Sequence, residues 1–515
     1  MPYCRVLSAA LIWVVAALLL GGEAARADDP AAQALLAKHR AFVGWQFGDA
    51  AVASLRLTGK AVDDRGQHTY DFTTLSRGLA YRTTYADLRQ GGVLQDEGFT
   101  GNVVWQSNEN GFTTPAFGDP AKAAIAQDLL FNEATSQLTG TSRGAATVDG
   151  TPVQIVRVAL KDGFPMDVYI DPVSGAYLKA VIDPEGSQTT TVRILAYTRA
   201  APGKKVIGSY RFASGSTWTV AKAEVNPPIA DADLHPPAAR ALWTFSNPQP
   251  FTFTVTDKRF IVDAKVNGVA GRFLIDTGAD HVYLTREFAA HARVKSLSRT
   301  DVGGIAGSAK GEVVRLNTLE IGGNTLSDVV AMSVGDSLDT DAPDGVIGFD
   351  LFGGAVVDLD SSTQRMTIQD PAQAPAAPAD GVSMNVDLSA GVPSVPMKMD
   401  GRIAVNAELD SGNFYYVLFG KELISHDGLV MLVDDSLVGG LESHPVLGGV
   451  GGVEVERCGH VDSLSLGPIV YQQPPACASP SFSGRTIFVG FDFLRHFDYV
   501  FDYPHGRVTM IPHKE

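Results

Sequence analysis

The feature that most constrains the fold of this 515-residue chain is an internal repeat in its second half. In the first copy, an apolar stretch, a turn at Asn267-Gly268 and a second apolar stretch lead directly into Asp276-Thr277-Gly278. In the second copy, the same order with a turn at Asp400-Gly401 leads into Asp410-Ser411-Gly412. Alternating apolar residues around an N-G or D-G turn predict a β-hairpin. Each acid is therefore expected at the end of a strand.

The two copies share further features downstream. A glycine-rich segment follows at residues 302–307 and 447–452 and predicts a hairpin tip in each copy. An apolar-apolar-Gly segment comes next, at residues 346–348 and 488–490. A single D-[ST]-G tripeptide occurs by chance in roughly a third of chains this long, and then an Asx-turn at a strand end is the simpler interpretation. Two copies in the same order of elements favour a catalytic pair instead.

This arrangement resembles the retropepsin-like and pepsin-like aspartic peptidases over residues 251–512. In that family each lobe contributes one D-[ST]-G loop beside an apolar-apolar-Gly segment, and this chain is similar to the form with both lobes in one molecule. The resemblance implies that Asp276 and Asp410 are catalytic, sharing one proton and activating a water. It implies loop-supporting and flap residues as follows: Thr277, Gly278, Ser411 and Gly412 support the acids, and Gly304, Ile305, Gly449 and Val450 cover the substrate.

Several positions near these motifs need separate interpretation. Asn413 follows the second tripeptide where the family has a small residue, and neither glycine tip carries the flap tyrosine of the pepsins. Asp350 and Asp492 follow the apolar-apolar-Gly segments, and we expect them to cap the next helical turn rather than to form a second acid pair. Asp280 and His281 follow the first tripeptide and are expected to be surface residues.

The N-terminus predicts export. Arg5, an apolar run over residues 6–20 and Ala25-Arg26-Ala27 have the layout of a cleavable secretory signal. A membrane anchor is the alternative, but the run is shorter than the roughly 20 residues that span a bilayer. We therefore expect a periplasmic or secreted protein without a transmembrane segment in the mature chain. Cys458 and Cys477 would remain, either as one disulfide or as two buried thiols, and an oxidising compartment slightly favours the disulfide.

The rest of the chain predicts a mainly β protein. Residues 28–225 contain alternating stretches and two helical stretches, at 31–42 and 121–133, which together predict an antiparallel sheet with helices on one side (α+β). This part resembles the lipoprotein-carrier type of periplasmic domain, which implies an apolar ligand. The predicted segments are a signal peptide at 1–27, an N-terminal β-rich domain at 28–225, a Pro-rich linker at 226–250, a first aspartic-peptidase lobe of retropepsin-like β-barrel type at 251–370, a second linker at 371–380 and a second such lobe at 381–515.

Charge and motifs limit the function classes. A formal net charge of −16 argues against nucleic acid as a partner. The sequence has no H-E-x-x-H or similar spacing, so we expect no metal and no cofactor. The predicted function is an aspartic endopeptidase that acts on an extended peptide or an unfolded protein. The alternative is a catalytically weak peptide-binding or ligand-sensing protein on the same bilobal fold, because a fold alone does not decide function.

Overall fold

The structure is a computed structural model. It describes residues 29–46, 48–62, 69–87, 92–160, 163–186, 189–304, 307–335, 343–413, 416–425, 427–433, 446–449, 452–455, 457–479 and 486–513. The predicted signal peptide and the predicted flap residues Ile305 and Val450 lie outside these ranges. The described chain is mainly β, as predicted, and none of its helices is long and apolar enough to cross a bilayer.

The N-terminal part forms one antiparallel sheet in the described chain. Its order runs from β6 back to β1 and then from β13 back to β7. The helices are α1 (Pro30–Val43) and α2 (Gly118–Phe131), which confirms the two predicted helical stretches. The strands are β1 (Ser54–Val62), β2 (Thr69–Arg77), β3 (Ala80–Asp87), β4 (Gly92–Phe99), β5 (Val104–Ser107), β6 (Thr113–Ala116), β7 (Gly140–Val148), β8 (Thr151–Val158), β9 (Met166–Ile170), β10 (Tyr177–Ile182), β11 (Thr190–Ala201), β12 (Lys204–Phe212) and β13 (Thr217–Val225).

Local sequence explains how α1 begins and ends. The Asp29 carboxylate accepts hydrogen bonds from the backbone N–H groups of Ala31 (3.0 Å) and Ala32 (3.2 Å), which would otherwise lack partners in the first turn. Gly44 ends the helix with φ of 79°, a conformation that glycine adopts without a Cβ clash. The buried face of α1 includes Leu36, which packs with Leu130 of α2 on the strand residues of the sheet.

The first β unit comprises β14 and β16–β23. Its sheet has the order β14-β22-β19-β23-β18-β17-β21-β20, with β16 beside β17. Strand β14 comes from residues predicted to be a linker, and it pairs with β22. The elements are β14 (Leu242–Thr244), β16 (Thr254–Thr256), β17 (Arg259–Val266), β18 (Val269–Ile275), β19 (Tyr283–Thr285), α3 (Arg286–His291), β20 (Lys295–Gly304), β21 (Gly307–Ile321), β22 (Asn324–Val334), β23 (Gly345–Ile347) and α4 (Phe349–Phe352).

The second β unit repeats the order of these elements. Its main sheet has the order β30-β33-β36-β29-β37-β28-β27-β34-β35, and β31 and β32 form a separate hairpin. The elements are β27 (Ser394–Met399), β28 (Ile403–Leu409), β29 (Val417–Gly420), α5 (Glu422–Ser425), β30 (Met431–Val433), β31 (Val446–Gly449), β32 (Gly452–Val455), β33 (Arg457–Val461), β34 (Ser463–Leu466), β35 (Ile469–Gln472), β36 (Pro475–Ser479), β37 (Thr486–Val489) and α6 (Phe491–Leu494).

A third sheet joins the two β units. It contains β15 (Phe251–Thr252), β24 (Val356–Asp360), β25 (Arg365–Gln369), β26 (Val382–Asn385), β38 (Phe497–Asp502) and β39 (Arg507–Pro512). The order β15-β25-β24-β38-β39-β26 is symmetric about the β24–β38 pair, where Asp358 lies opposite Val500. The outer pairs match as well, with Phe251 opposite Met366 and Met384 opposite Val508. The strand pairing of this sheet is thus symmetric about its middle, with each β unit contributing one half.

Candidate active site

The strand that carries each tripeptide is held in the same way in both β units. Strand β23 lies parallel to β18 and antiparallel to β19, and β37 lies parallel to β28 and antiparallel to β29. The backbone N–H of Asp276 donates to the carbonyl of Ile347 (3.1 Å), and that of Asp410 donates to the carbonyl of Val489 (2.9 Å). The apolar-apolar-Gly segments therefore position both acids, because each supplies the strand on which an acid ends.

Reciprocal hydrogen bonds join the two loops. The backbone N–H of Thr277 donates to Ser411 Oγ, and the backbone N–H of Ser411 donates to Thr277 Oγ1, each at 3.0 Å. The hydroxyl groups donate onward, from Thr277 to the carbonyl of Leu409 (2.6 Å) and from Ser411 to the carbonyl of Ile275 (2.9 Å). Both side chains are buried, so loss of either hydroxyl would leave buried backbone groups without a partner.

The glycines bring each loop against the opposite acid. Gly278 N–H donates to Asp276 Oδ1 (2.8 Å), and Gly412 N–H donates to Asp410 Oδ1 (3.0 Å). A Cβ added at Gly278 would lie 2.3 Å from Asp410 Oδ1, and one added at Gly412 would lie 2.3 Å from Asp276 Oδ2. Each glycine therefore lies against the carboxyl group of the opposite loop, where no larger side chain fits, and the two carboxyl groups are hydrogen-bonded to each other.

Burial and mutual charge change the acidity of this pair. Burial, followed by the charge of Asp276, raises the pKa of Asp410 well above its usual range. Burial also raises the pKa of Asp276, although hydrogen bonds from backbone N–H groups and from Asp410 oppose that shift. Nearby, burial and the charge of Asp387 raise the pKa of Glu408 to about 7. Two adjacent carboxylates that cannot both ionise readily share one proton, and they titrate as a unit.

A cavity of about 350 Å³ opens beside Gly278. Strand β20, the arm that leads to the first predicted flap tip, forms one wall, and the segment between β26 and β27 contributes Ala390 and Val392. Predicted flap residues Gly304 and Gly449 end β20 and β31, respectively, at the tips of their hairpins. The cavity is lined by Gly278, Asp280, His281, Tyr283, Thr300, Asp301, Val302, Gly303, Met332, Ala390 and Val392.

His281 and Asp280 both line this cavity; the side chain of Asp280 is 48% exposed, as expected of a surface residue, whereas that of His281 is only 15% exposed. His281 Nδ1 lies 3.0 Å from Glu109 Oε1 and 3.7 Å from Asp350 Oδ2, and its Nε2 lies 3.8 Å from Asp280 Oδ2. Burial alone would lower the pKa of His281, but these carboxylates raise it well above its usual range. The surrounding carboxylates therefore favour the protonated, cationic form of the imidazole. Glu109 belongs to the N-terminal part of the chain, and no sequence pattern links it to His281.

The expectation that Asp350 and Asp492 cap their own helices is wrong, because Gly348 and Gly490 occupy the N-cap positions and the two acids lie within the first turn. The buried Asp350 carboxylate instead accepts from the backbone N–H of Val282 (3.0 Å) and from Asn110 Nδ2 (2.7 Å). Asp492 accepts from Lys258 Nζ (2.6 Å), which belongs to the first β unit. Both acids stabilise contacts between separate parts of the chain.

Cys458 and Cys477 form a disulfide between the paired strands β33 and β36, in the second β unit. These strands belong to the same sheet as β28, which leads to Asp410, and the two cysteines pack with Leu418 in a small apolar cluster of their own. Within the described ranges, no group of three or more His, Cys, Asp or Glu side chains is arranged to hold a metal ion.

Comparison with known proteins identifies one region. A family model described as "Aspartyl protease" matches residues 262–351, from β17 to α4, and includes Asp276 with its apolar-apolar-Gly segment. No curated protein matches the chain. Among solved structures, the chain is similar to a DUF1329 family protein from Desulfovibrio piger, with 13% identity and a TM-score of 0.30 over 40% of this chain and 96% of that one. Residues 262–351 are an aspartyl-protease-like region.

Proposed function

We propose that this protein is an aspartic endopeptidase with both catalytic carboxylates, Asp276 and Asp410, in one molecule. The observation that carries the proposal is the reciprocal pair of hydrogen bonds between Thr277 and Ser411. These bonds bring two D-[ST]-G loops from separate β units into one site. In the proposal the two units are the lobes of a bilobal peptidase, and the sheet shared by β24 and β38 is the platform that joins them.

The chemistry follows from two carboxyl groups with one proton. The ionised carboxylate accepts a proton from a water held between the pair, and the resulting hydroxide adds to the peptide carbonyl carbon. The protonated carboxyl donates its proton to the carbonyl oxygen. The tetrahedral intermediate then returns a proton through the pair to the amide nitrogen, and the C–N bond breaks. The raised pKa values of both carboxyl groups favour one shared proton in the resting site.

The proposed substrate is an extended peptide or a segment of unfolded protein. A strand-like peptide would lie in the cavity along β20 and bind through main-chain hydrogen bonds, while side-chain pockets set preference. The two glycine-tipped hairpins would close over it as flaps and exclude bulk water from the acids. The predicted flap residues at their tips, Gly304, Ile305, Gly449 and Val450, belong to this proposal.

Export is a separate part of the proposal. The layout of residues 1–27 supports cleavage after Ala27 and location in the periplasm or outside the cell. N-terminal sequencing of the protein recovered from the periplasm or medium should begin near Asp28, and a chain that still begins at Met1 would contradict export by cleavage. An apolar ligand for the N-terminal sheet remains a prediction, which native mass spectrometry of the purified protein would test.

Hydrolysis of a denatured protein by the purified chain, from pH 3 to pH 9 and with or without pepstatin, tests the proposed function. We expect cleavage within the chain of the substrate, inhibition by pepstatin and loss of cleavage in Asp276→Asn. Binding of peptide without cleavage would favour the alternative of a peptide-binding protein. Absence of both binding and cleavage would contradict both functions.

A further inference from the structure

The N-terminal sheet contacts a residue of the cavity wall, His281, through the turn between β5 and β6. Asn110 in this turn is completely buried. Its side-chain amide pairs with the backbone of Val330 in β22, donating to the carbonyl (2.9 Å) and accepting from the N–H (2.7 Å), as a neighbouring strand would. The same amide donates to Asp350, which lies beside His281. The turn is therefore docked on the first β unit by satisfied, buried hydrogen bonds.

Further contacts fix the turn in place. Phe112 belongs to the hydrophobic core shared by the two β units, and a Cβ added at Gly354 would lie 2.4 Å from its ring. Arg240, in the segment that follows the N-terminal sheet, donates from its backbone N–H to the carbonyl of Asn110 (3.0 Å) and from Nη2 to the carbonyl of Glu109 (2.9 Å). These contacts determine where the Glu109 side chain lies.

Glu109 is thereby placed against His281, a residue of the cavity wall. The imidazole presents Nδ1 to Glu109 and Nε2 to the side of Asp280, and both His281 and Asp280 line the cavity. The side chains of Glu109 and His281 are 12% and 15% exposed, so solvent screens their attraction only weakly. An N–H donor at this wall is suited to a main-chain carbonyl of a bound peptide.

We propose that Glu109 is a positioning residue of the substrate cleft, supplied by the N-terminal domain, which orients the His281 imidazole toward a bound peptide. This inference rests on the proposed function, since it assigns a role in substrate binding to the same cleft. It makes the N-terminal domain a permanent part of the peptidase rather than a segment removed on activation.

The charges around His281 predict how this role depends on pH. The groups that face it are Glu109, Asp280, Asp350 and Tyr283, with Arg240 beyond Glu109. Burial raises the pKa of Glu109 to about 7, although the charge of His281 opposes the shift. Glu109 is therefore ionised above pH 7 and protonated below it. Glu109→Gln resembles the protonated form, so its effect should be large at pH 8 and small at pH 5.

The test uses the full chain in an Asp276→Asn background, so that binding is measured without cleavage. The dissociation constant (Kd) of an extended peptide is measured by fluorescence anisotropy for three further substitutions: Glu109→Gln, Glu109→Asp and the control Glu185→Gln. Glu185 carries the same charge on the N-terminal sheet with a side chain that is 71% exposed. The ionised Glu109 carboxylate favours the cationic imidazole, and a hydrogen bond from a charged donor such as His281 to a peptide carbonyl contributes about 1.5 kcal/mol or more. Glu109→Gln should therefore raise Kd by roughly tenfold at pH 8.

At pH 5 the same substitution should change Kd by less than twofold, Glu109→Asp should restore part of the affinity, and Glu185→Gln should have no effect. In the unsubstituted background, KM should rise in Glu109→Gln at pH 8 while kcat changes little. A Kd that is unchanged at pH 8, or that rises equally at both pH values, would overturn the positioning role. Because binding is read directly, this outcome is separate from a failure of the chain to hydrolyse peptides, which would reject the proposed function alone.

Discussion

Substitution of Gly412 by alanine tests how closely the two acids are held. The new Cβ would lie 2.3 Å from Asp276 Oδ2 and 2.5 Å from its Cγ. Non-bonded heavy atoms pack favourably only at about 3.5 Å or more, so the Asp276 carboxylate or the Gly412 loop must move by roughly 1 Å. The loop itself cannot retreat easily, because the adjacent Ser411 is joined to Thr277 by hydrogen bonds in both directions.

A displacement of about 1 Å costs on the order of 100-fold in rate when groups must be aligned for reaction. We therefore expect kcat to fall by about 100-fold in Gly412→Ala, which corresponds to about 2.7 kcal/mol in activation free energy. The free energy of unfolding should fall by about 1–3 kcal/mol from overpacking. Gly412 has no positive φ, so backbone strain adds nothing to this cost.

The assay measures kcat on a quenched fluorescent peptide and the free energy of unfolding in urea. Gly278→Ala should behave like Gly412→Ala, because its Cβ would lie 2.3 Å from Asp410 Oδ1. Gly335→Ala is the matched control, since a Cβ at that position would meet nothing within 4 Å. If Gly412→Ala kept more than a third of the wild-type kcat, the two carboxylates would not be held in the contact described.

Three further predictions concern the stability of the protein and the pH dependence of hydrolysis. Reduction of the Cys458–Cys477 bond, 19 residues apart, should lower the free energy of unfolding by about 3 kcal/mol in urea titrations while leaving kcat below the melting temperature unchanged. Asn110→Ala leaves the backbone of Val330 unpaired and should destabilise the protein by about 2–4 kcal/mol, whereas Asn226→Ala, at a more exposed site, should cost less. Hydrolysis should decline as pH rises and the proton shared by Asp276 and Asp410 is lost, and a rate that keeps rising to pH 10 would contradict the shared proton.

The raised pKa values of the two acids also predict an effect of pH on stability. Asp276 and Asp410 have folded-state pKa values above the unfolded value, so between those values the folded chain binds more protons and its stability falls as pH rises. Asp410→Asn removes one of the two buried titrating groups and its repulsion with Asp276, so the free energy of unfolding should depend less on pH. Thermal melting at pH 5 and pH 8 measures the difference, and an equal pH dependence in variant and wild type would contradict burial of the pair as its source.

Local sequence predicts those parts of the fold that depend on neighbouring residues. Asn267 and Gly268 both adopt positive φ, at 50° and 81°, which the tight turn between β17 and β18 requires. In the second β unit the turn that begins at Asp400 is one residue longer, since Met399 lies opposite Ile403. The two hairpins could thus be predicted from composition and alternation, whereas the extra residue in the second turn could not.

Contacts between distant segments could not be predicted from these patterns. Leu242–Thr244 lies in a Pro-rich segment predicted to be a linker, but it has a free edge of β22 to pair with and becomes a strand. The packing of Glu109 on His281 depends on a turn docked from another sheet, and neither residue has a neighbour in sequence that signals the contact. Asp350 likewise lies in the first turn of α4, where a local capping role was expected. The hydrogen-bond partners of its carboxylate, Asn110 and Val282, lie far away in sequence.

The most direct test of the account replaces the two acids singly and together. Asp276→Asn and Asp410→Asn keep the volume of the side chains and most hydrogen bonds of the loops, so both variants should fold. Because the pair acts as one unit, each single substitution should abolish nearly all turnover and the double substitution should be scarcely worse than either. Measured kcat values for the three variants and the wild type decide the matter. Substantial hydrolysis by Asp410→Asn, with none by Asp276→Asn, would contradict the shared dyad and leave the second β unit a structural partner.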